Sequence, residues 1–117
     1  MHLNFNDFHP QDLRPTNPKL RNGPFFVMLS RTGCGHCKNA LPAFESLQSP
    51  IPSFIVDSAS KDPQEKKLAE AIQLWMGTSF SGYPTFILFK PNGDMIECKV
   101  NRTVQAWSSW LDANQSS

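Results

Sequence analysis

Residues 25–38 read Phe25-Phe26-Val27-Met28-Leu29-Ser30-Arg31-Thr32-Gly33-Cys34-Gly35-His36-Cys37-Lys38, and the division of this stretch decides the fold. Its first five residues are an unbroken apolar run of strand length, the kind buried on both faces at the centre of a sheet. Ser30-Arg31-Thr32-Gly33 turns the chain. A helix is expected next over 34–47, with Ala40, Leu41, Phe44 and Leu47 at helical spacing and Pro42 interrupting and kinking it. A central strand that turns directly into a helix is the unit from which α/β layers are built.

Downstream, Ser49-Pro50-Ile51-Pro52 closes the first helix, and Phe54-Ile55-Val56 marks a second buried strand over 53–57. The next helix carries the clearest start signals: Asp62 as cap, Pro63 at the first helical position and Glu65 placed to complete a capping box. Leu68, Ile72 and Trp75 supply its expected inward stripe, to about Met76. A loop over 77–82 leads to a third buried strand, Thr85-Phe86-Ile87-Leu88-Phe89. Pro91-Asn92-Gly93-Asp94 is a hairpin turn, because Asn-Gly tolerates positive φ. Residues 95–100 then alternate as an edge strand does. Thr103 can cap a last helix bearing Val104, Trp107, Trp110 and Leu111. The order implies one α/β domain over 1–117, a small mixed sheet with helices on both faces and a C-terminal hairpin plus helix.

The ends are less regular. Over 1–23, Leu3 and Phe5 alternate with polar residues as a weak strand would. Pro10, Pro15 and Pro18 then predict loops with at most one irregular helical turn. Residues 114–117 are expected to be a frayed tail. The start has no basic head followed by an apolar run, so a cytoplasmic protein is expected, or one of a secretory compartment whose leader has been removed.

Composition excludes other classes. In 117 residues, 11 Lys and Arg stand against 10 Asp and Glu, giving a net charge of +1, without the basic stripe of a nucleic-acid binder. No run approaches the 18 or so apolar residues a membrane-spanning helix requires. Three cysteines are too few for a disulfide-built scaffold. Two of them, Cys34 and Cys37, form a Cys-x-x-Cys pair, and Cys98 stands alone.

That pair has three readings. Free cysteines pack well as small apolar side chains, but that does not account for their spacing around Gly35 and His36. A structural metal site wants four ligands, and after Cys34, His36 and Cys37 the rest would have to come from Cys98, His2 or His9, far away in the chain. A redox dithiol needs only what is present. At a helix start the Cys34 thiolate would receive unpaired N–H groups and the positive end of the helix dipole. Cys37, one turn further in, is shielded and suited to resolving a mixed disulfide. Protonated His36 would favour the thiolate further and make Cys34 a better leaving group, moving the couple toward oxidising power. Gly35 allows a tight helix start with no side chain over the sulfurs. Lys38 reads as a solvated helix residue and Cys98 as buried packing. No cofactor and no metal are expected.

With these residues in view, the segment from Phe25 to Lys38, with Pro42, resembles the catalytic segment of the thioredoxin superfamily, and Cys34-Gly35-His36-Cys37 is similar to the tetrapeptide of protein-disulfide-isomerase catalytic domains. Gly82-Tyr83-Pro84-Thr85, the following strand and Asn92-Gly93 resemble that family's cis-proline loop, next strand and hairpin. The resemblance covers most of 25–112. It implies a thioredoxin-like fold and a monomeric thiol–disulfide oxidoreductase acting on protein or peptide cysteines, served by a reducing or oxidising partner system. It also implies Cys34 as nucleophile, Cys37 as resolving thiol, Pro84 as a cis-proline packed against the pair, and a substrate backbone lying along Tyr83, near Gly33 and Gly35. The direction of the reaction, reduction or oxidation and isomerisation, stays open.

The sequence departs from the family at two places. An aromatic residue usually precedes the first cysteine, and here Gly33 stands there. A buried acid usually lies six residues before the nucleophile, where it helps take the proton of the resolving thiol; Met28 stands there and cannot accept one. These departures give the alternative of a thioredoxin-fold binding or regulatory module with slow or no catalytic turnover.

Overall fold

The computed structural model describes residues 1–115. Strands β1 (Phe25–Ser30), β2 (Ser53–Asp57), β3 (Thr85–Phe89) and β4 (Met95–Cys98) alternate with helices α1 (Gly35–Glu45), α2 (Pro63–Met76) and α3 (Val104–Asn114), α3 following β4. The strands form one sheet in the order β2-β1-β3-β4. β1 and β2 are parallel, with α1 as the crossover that parallel pairing needs, and the other two pairs are antiparallel. The two central strands carry the two longest apolar runs, Phe25 to Leu29 and Phe86 to Phe89, and burial follows: β3 is buried throughout and β1 at every residue but Ser30.

Alternation along β1 divides its side chains between two cores. Phe25, Val27 and Leu29 meet Leu68, Ala69 and Ile72 of α2. Phe26 and Met28 meet Cys37, Ala40 and Phe44 of α1 and Trp107 and Leu111 of α3. On that second face the rings of Phe44, Phe86 and Trp107 pack mutually, with centroids 4.9 to 5.9 Å apart. Burying each such ring contributes about 2–3 kcal/mol, so α1 is held to the sheet by a rigid aromatic wedge. The expected architecture is therefore the observed one: a mixed sheet covered on both faces, ending in a hairpin and a helix.

Six local expectations are corrected. The N-terminal segment forms two short 3₁₀ turns, Phe5–Asp7 and Pro18–Leu20, rather than at most one. Its weak strand shrinks to a single parallel bridge between His2 and Ile55. Although irregular, the segment belongs to the core: Leu3, Phe8, Leu13 and Leu20 are buried, and Phe8 packs on Phe25 and Phe89 at ring distances of 6.1 and 5.9 Å.

On α2, Trp75 is not part of the inward stripe; it is 53% exposed, while Met76 takes the buried place. Glu65 does not close a capping box, because the Asp62 side chain accepts from the Gln64 N–H and the Glu65 carboxylate is used by His2 and by the Asp57 N–H. The tail begins later than expected, since Asn114 is still helical; 116–117 lie outside the described residues. Helix α1 starts at Gly35, with Cys34 as its cap rather than its first residue, and ends at Glu45.

Candidate active site

The Cys-x-x-Cys pair sits where β1 ends and α1 begins. Cys34 has extended backbone (φ −81°, ψ 119°) and its sulfur caps the helix, accepting the Cys37 N–H at 3.2 Å. The sequence folds this way because positive φ is available at Gly33 (φ +92°), which lets the chain leave β1, turn and enter the helix within four residues. The consequence is an asymmetric pair. Cys34 is half-buried and Cys37 buried.

The electrostatics follow the geometry. The Cys37 thiol, within hydrogen-bonding reach of Cys34, is the main cause that holds Cys34 below the ordinary thiol range; burial opposes it. The N–H groups of Cys37 and His36 and the charge of Arg102 act in the same lowering sense. Cys37 moves the opposite way: burial pushes it up, its hydrogen bond to Cys34 adds to this, and the Arg31 N–H and the Ser30 hydroxyl offset part of it. One thiol is thus prepared as a thiolate and the other held as a protonated donor to it.

The remaining expected residues fall around these sulfurs. The Tyr83–Pro84 peptide is cis, and the Tyr83 carbonyl faces the Cys34 thiol at 3.8 Å. The Tyr83 ring is tied down on the far side, where its hydroxyl accepts from Gln73 Nε2 at 2.5 Å and Phe80 packs edge-on at 5.2 Å. Gly33 and Gly35 are exposed, and a Cβ built at either meets nothing within 4 Å, so the approach to Cys34 is open from both sides. His36 is exposed, and it is its main-chain N–H that bears on Cys34. Met28 is buried in the same cluster as Cys37. Cys98 is buried and its thiol pushed up by burial. Among the described residues no group of three or more His, Cys, Asp or Glu side chains is arranged to hold a metal ion, and no helix is long and apolar enough to cross a membrane.

Sequence reasoning missed Ser30, Arg102 and Asp57. Ser30 ends β1 and Asp57 ends β2, directly opposite it. Asp57 accepts from the Thr32 N–H at 3.0 Å and from the Thr32 hydroxyl, fixing the turn that precedes the cysteines. A parallel register assigned from the two apolar runs would have paired these residues. Nothing in the sequence signals Arg102, which lies in the connection between β4 and α3 and reaches the site only through the fold.

This sheet order, with the crossover helix capped by a Cys-x-x-Cys pair and a cis-proline beside it, defines a thioredoxin-fold domain. No protein-family model matches the sequence, and no curated protein does. Among solved structures, the first two thioredoxin domains of Saccharomyces cerevisiae Eps1p align over 92% of this chain and 43% of theirs, with a TM-score of 0.62 and 18% identity. Zinc-bound human ERp44 aligns over 84% of this chain and 28% of its own, at 0.60 and 22%. The first thioredoxin domain of mouse protein disulfide-isomerase A4 aligns over 81% and 65%, at 0.60 and 19%. The chain thus spans less than two thirds of each of these relatives. It has the thioredoxin fold and resembles the thioredoxin domains of these proteins.

Proposed function

We propose that the chain is a thiol–disulfide oxidoreductase that acts, as a monomer, on cysteines of proteins or peptides through the Cys34–Cys37 couple. The observation that carries this reading is the asymmetry of the pair: a half-exposed sulfur at a helix N-terminus held low, and a buried sulfur one turn in held high. The Cys34 thiolate attacks one sulfur of a substrate disulfide, the substrate S–S bond breaks, and its other sulfur leaves as a thiolate. Cys37 then loses its proton and attacks Cys34. The mixed disulfide breaks, the Cys34–Cys37 bond forms, and the substrate has gained the two electrons the dithiol has lost. Run in reverse, the same steps give a substrate its disulfide, and the potential of the partner redox system sets the direction.

In this scheme the substrate backbone lies along Tyr83 and Pro84 and approaches over Gly33 and Gly35. His36, at the lip of the site, adds positive charge near the reacting sulfurs when protonated. A second reading, a binding module with slow turnover, draws on Met28, which gives the Cys37 proton no acceptor in the core.

One set of variants separates the two. The oxidoreductase reading expects turnover of a protein disulfide such as insulin, its loss in Cys34→Ser, and a covalent mixed disulfide trapped on Cys34 in Cys37→Ser, seen by mass spectrometry. A trapped adduct without turnover supports the slow module. The absence of both adduct and turnover refutes the redox assignment.

A further inference from the structure

The resolving step requires the Cys37 proton to leave, and Met28 stands where a core acid would take it. A groove of ≈ 320 Å³ offers another route, lined by both cysteines, Ser30, Gly33, Asp57 and His2. His2 arrives there because the N-terminal segment pairs along the outer edge of β2: the Leu3 N–H donates to the Ile55 carbonyl at 3.1 Å and the Ile55 N–H to the Met1 carbonyl at 2.9 Å. His2 lies opposite Ile55, and Ile55 opposite Met28. Residues directly opposite in parallel pairs point to the same face, so His2 ends a row that begins at Met28, two strand spacings or about 10 Å away. That face is the one α1 covers with Cys37.

The His2 ring is held by a buried acid. Glu65, from the first turn of α2, has a side chain only 7% exposed, and its Oε2 accepts from His2 Nδ1 at 2.5 Å and from the Asp57 N–H at 2.8 Å. A carboxylate only accepts, so Nδ1 carries the hydrogen and the neutral ring keeps its lone pair on Nε2. Among the described residues no protein group takes that lone pair. Asp57 lines the same groove but is poorly placed as a base. Its carboxylate already accepts from the Thr32 N–H and hydroxyl and the Ala59 N–H, and these hold its pKa low against the opposing effect of burial. The other charges on the groove are Arg31 and Lys38, both exposed and both cations, which cannot accept a proton.

We propose that His2, oriented by Glu65, is the base that takes the Cys37 proton when the mixed disulfide is resolved. The assignment rests on the dithiol reading above. The proton passes from Cys37 through the solvent of the groove to His2 Nε2, and the new thiolate attacks Cys34. The bond between Cys34 and the substrate breaks, and the departing substrate thiolate is protonated in turn by the His2 imidazolium. Glu65 is a positioning residue: it fixes the tautomer and balances the charge that His2 acquires.

The test is a single-turnover reaction of the reduced protein with an aryl disulfide whose released thiolate absorbs visible light. Attack by Cys34 releases one equivalent and resolution by Cys37 releases the second, so one trace holds both steps. His2→Asn keeps a donor at the place of Nδ1 and removes the base. Near neutral pH the ratio of the second rate to the first is expected to fall about 100-fold, the lower end of the range for a lost general base, and the deficit should close as the pH is raised and hydroxide ionises Cys37 directly. Glu65→Gln, which keeps the size of the side chain, should lower the same ratio by a smaller factor. An unchanged ratio in His2→Asn overturns the proposal, and so does an equal loss at every pH, which would mark a structural role. A wild type with no second phase overturns the dithiol reading itself, and this assignment with it.

Discussion

Gly33 and Gly35 flank the nucleophile, and replacing each by alanine should move stability in opposite directions. A Cβ at either position meets nothing within 4 Å, so packing contributes to neither change. Both substitutions also restrict the unfolded chain equally, a stabilisation of about 0.4–1 kcal/mol. They differ in the backbone alone. Gly33 has φ +92°, where an L-residue is strained by about 1–2 kcal/mol, whereas Gly35 is the first residue of α1 and alanine fits it without strain. Subtracting the shared term leaves Gly33→Ala destabilised by up to about 1.6 kcal/mol and Gly35→Ala stabilised by about 0.4–1 kcal/mol. The gap between the two variants is the strain itself. Equilibrium urea unfolding of the reduced proteins measures it: at a slope of about 1.5 kcal/mol per molar, the midpoints should differ by roughly 1 M with the slope unchanged. If Gly33→Ala unfolds at or above the midpoint of Gly35→Ala, positive φ at Gly33 is not what closes the turn before Cys34, and the account of that turn is wrong.

Two further outcomes follow from the thiols. Cys37→Ala removes the leading cause that holds Cys34 low and Arg102→Gln a lesser one. Thiolate absorbance should therefore titrate at higher pH in both, with the larger displacement in Cys37→Ala and added salt reducing that of Arg102→Gln only; an unmoved titration in Cys37→Ala refutes the assignment. The stability of the reduced protein should pass through a maximum as pH rises. Cys34, depressed in the fold, adds stability that is lost as pH falls through its folded pKa. Cys37 and Cys98, raised in the fold, cost stability once the unfolded chain ionises above the ordinary thiol value of about 8.5. Urea midpoints against pH should show both limbs, and Cys98→Ala should flatten the alkaline one; a limb unaffected by that change contradicts the burial of Cys98 as its cause.

The central elements were legible because their signals are local. Five consecutive apolar residues mark β1 and four, Phe86 to Phe89, mark β3, and the cysteine spacing places both sulfurs at one helix start. What failed depends on the whole surface of an element. On α2, Leu68, Ile72 and Trp75 fit a helical stripe, but at about 100° per residue the buried set of Glu65, Leu68, Ala69, Ile72 and Met76 spans an arc of about 100° that leaves Trp75 about 20° outside it. Ala69 and Glu65 decide where that arc is centred, and neither reads as a core residue alone. The N-terminal segment failed for the opposite reason. Leu3, Phe8, Leu13 and Leu20 are anchored by turns rather than by a repeat, so their burial leaves no period to detect. In the sequence His2 is a distant residue and Glu65 a capping acid, though the fold joins them.

The two departures from the family pattern are related through the groove that joins His2 to the cysteines. A buried acid can serve a shielded thiol from within the core, and an aromatic side chain before the nucleophile can then cover the outside without blocking the proton. With Met28 in the core the proton has only the outward path, and that path runs past Gly33, which lines the groove and whose missing side chain leaves it open. On the reading that His2 is the base, an aromatic residue at position 33 would do two kinds of harm: it would be strained by the positive φ, and it would crowd the solvent that carries the proton. Gly33 and Met28 then describe one arrangement, in which the acceptor has moved from the core to the sheet edge and the site has stayed open to reach it. That arrangement also gives the N-terminal segment a reason to be pinned so firmly, since a base carried on a loose strand could not hold its place beside a resolving thiol.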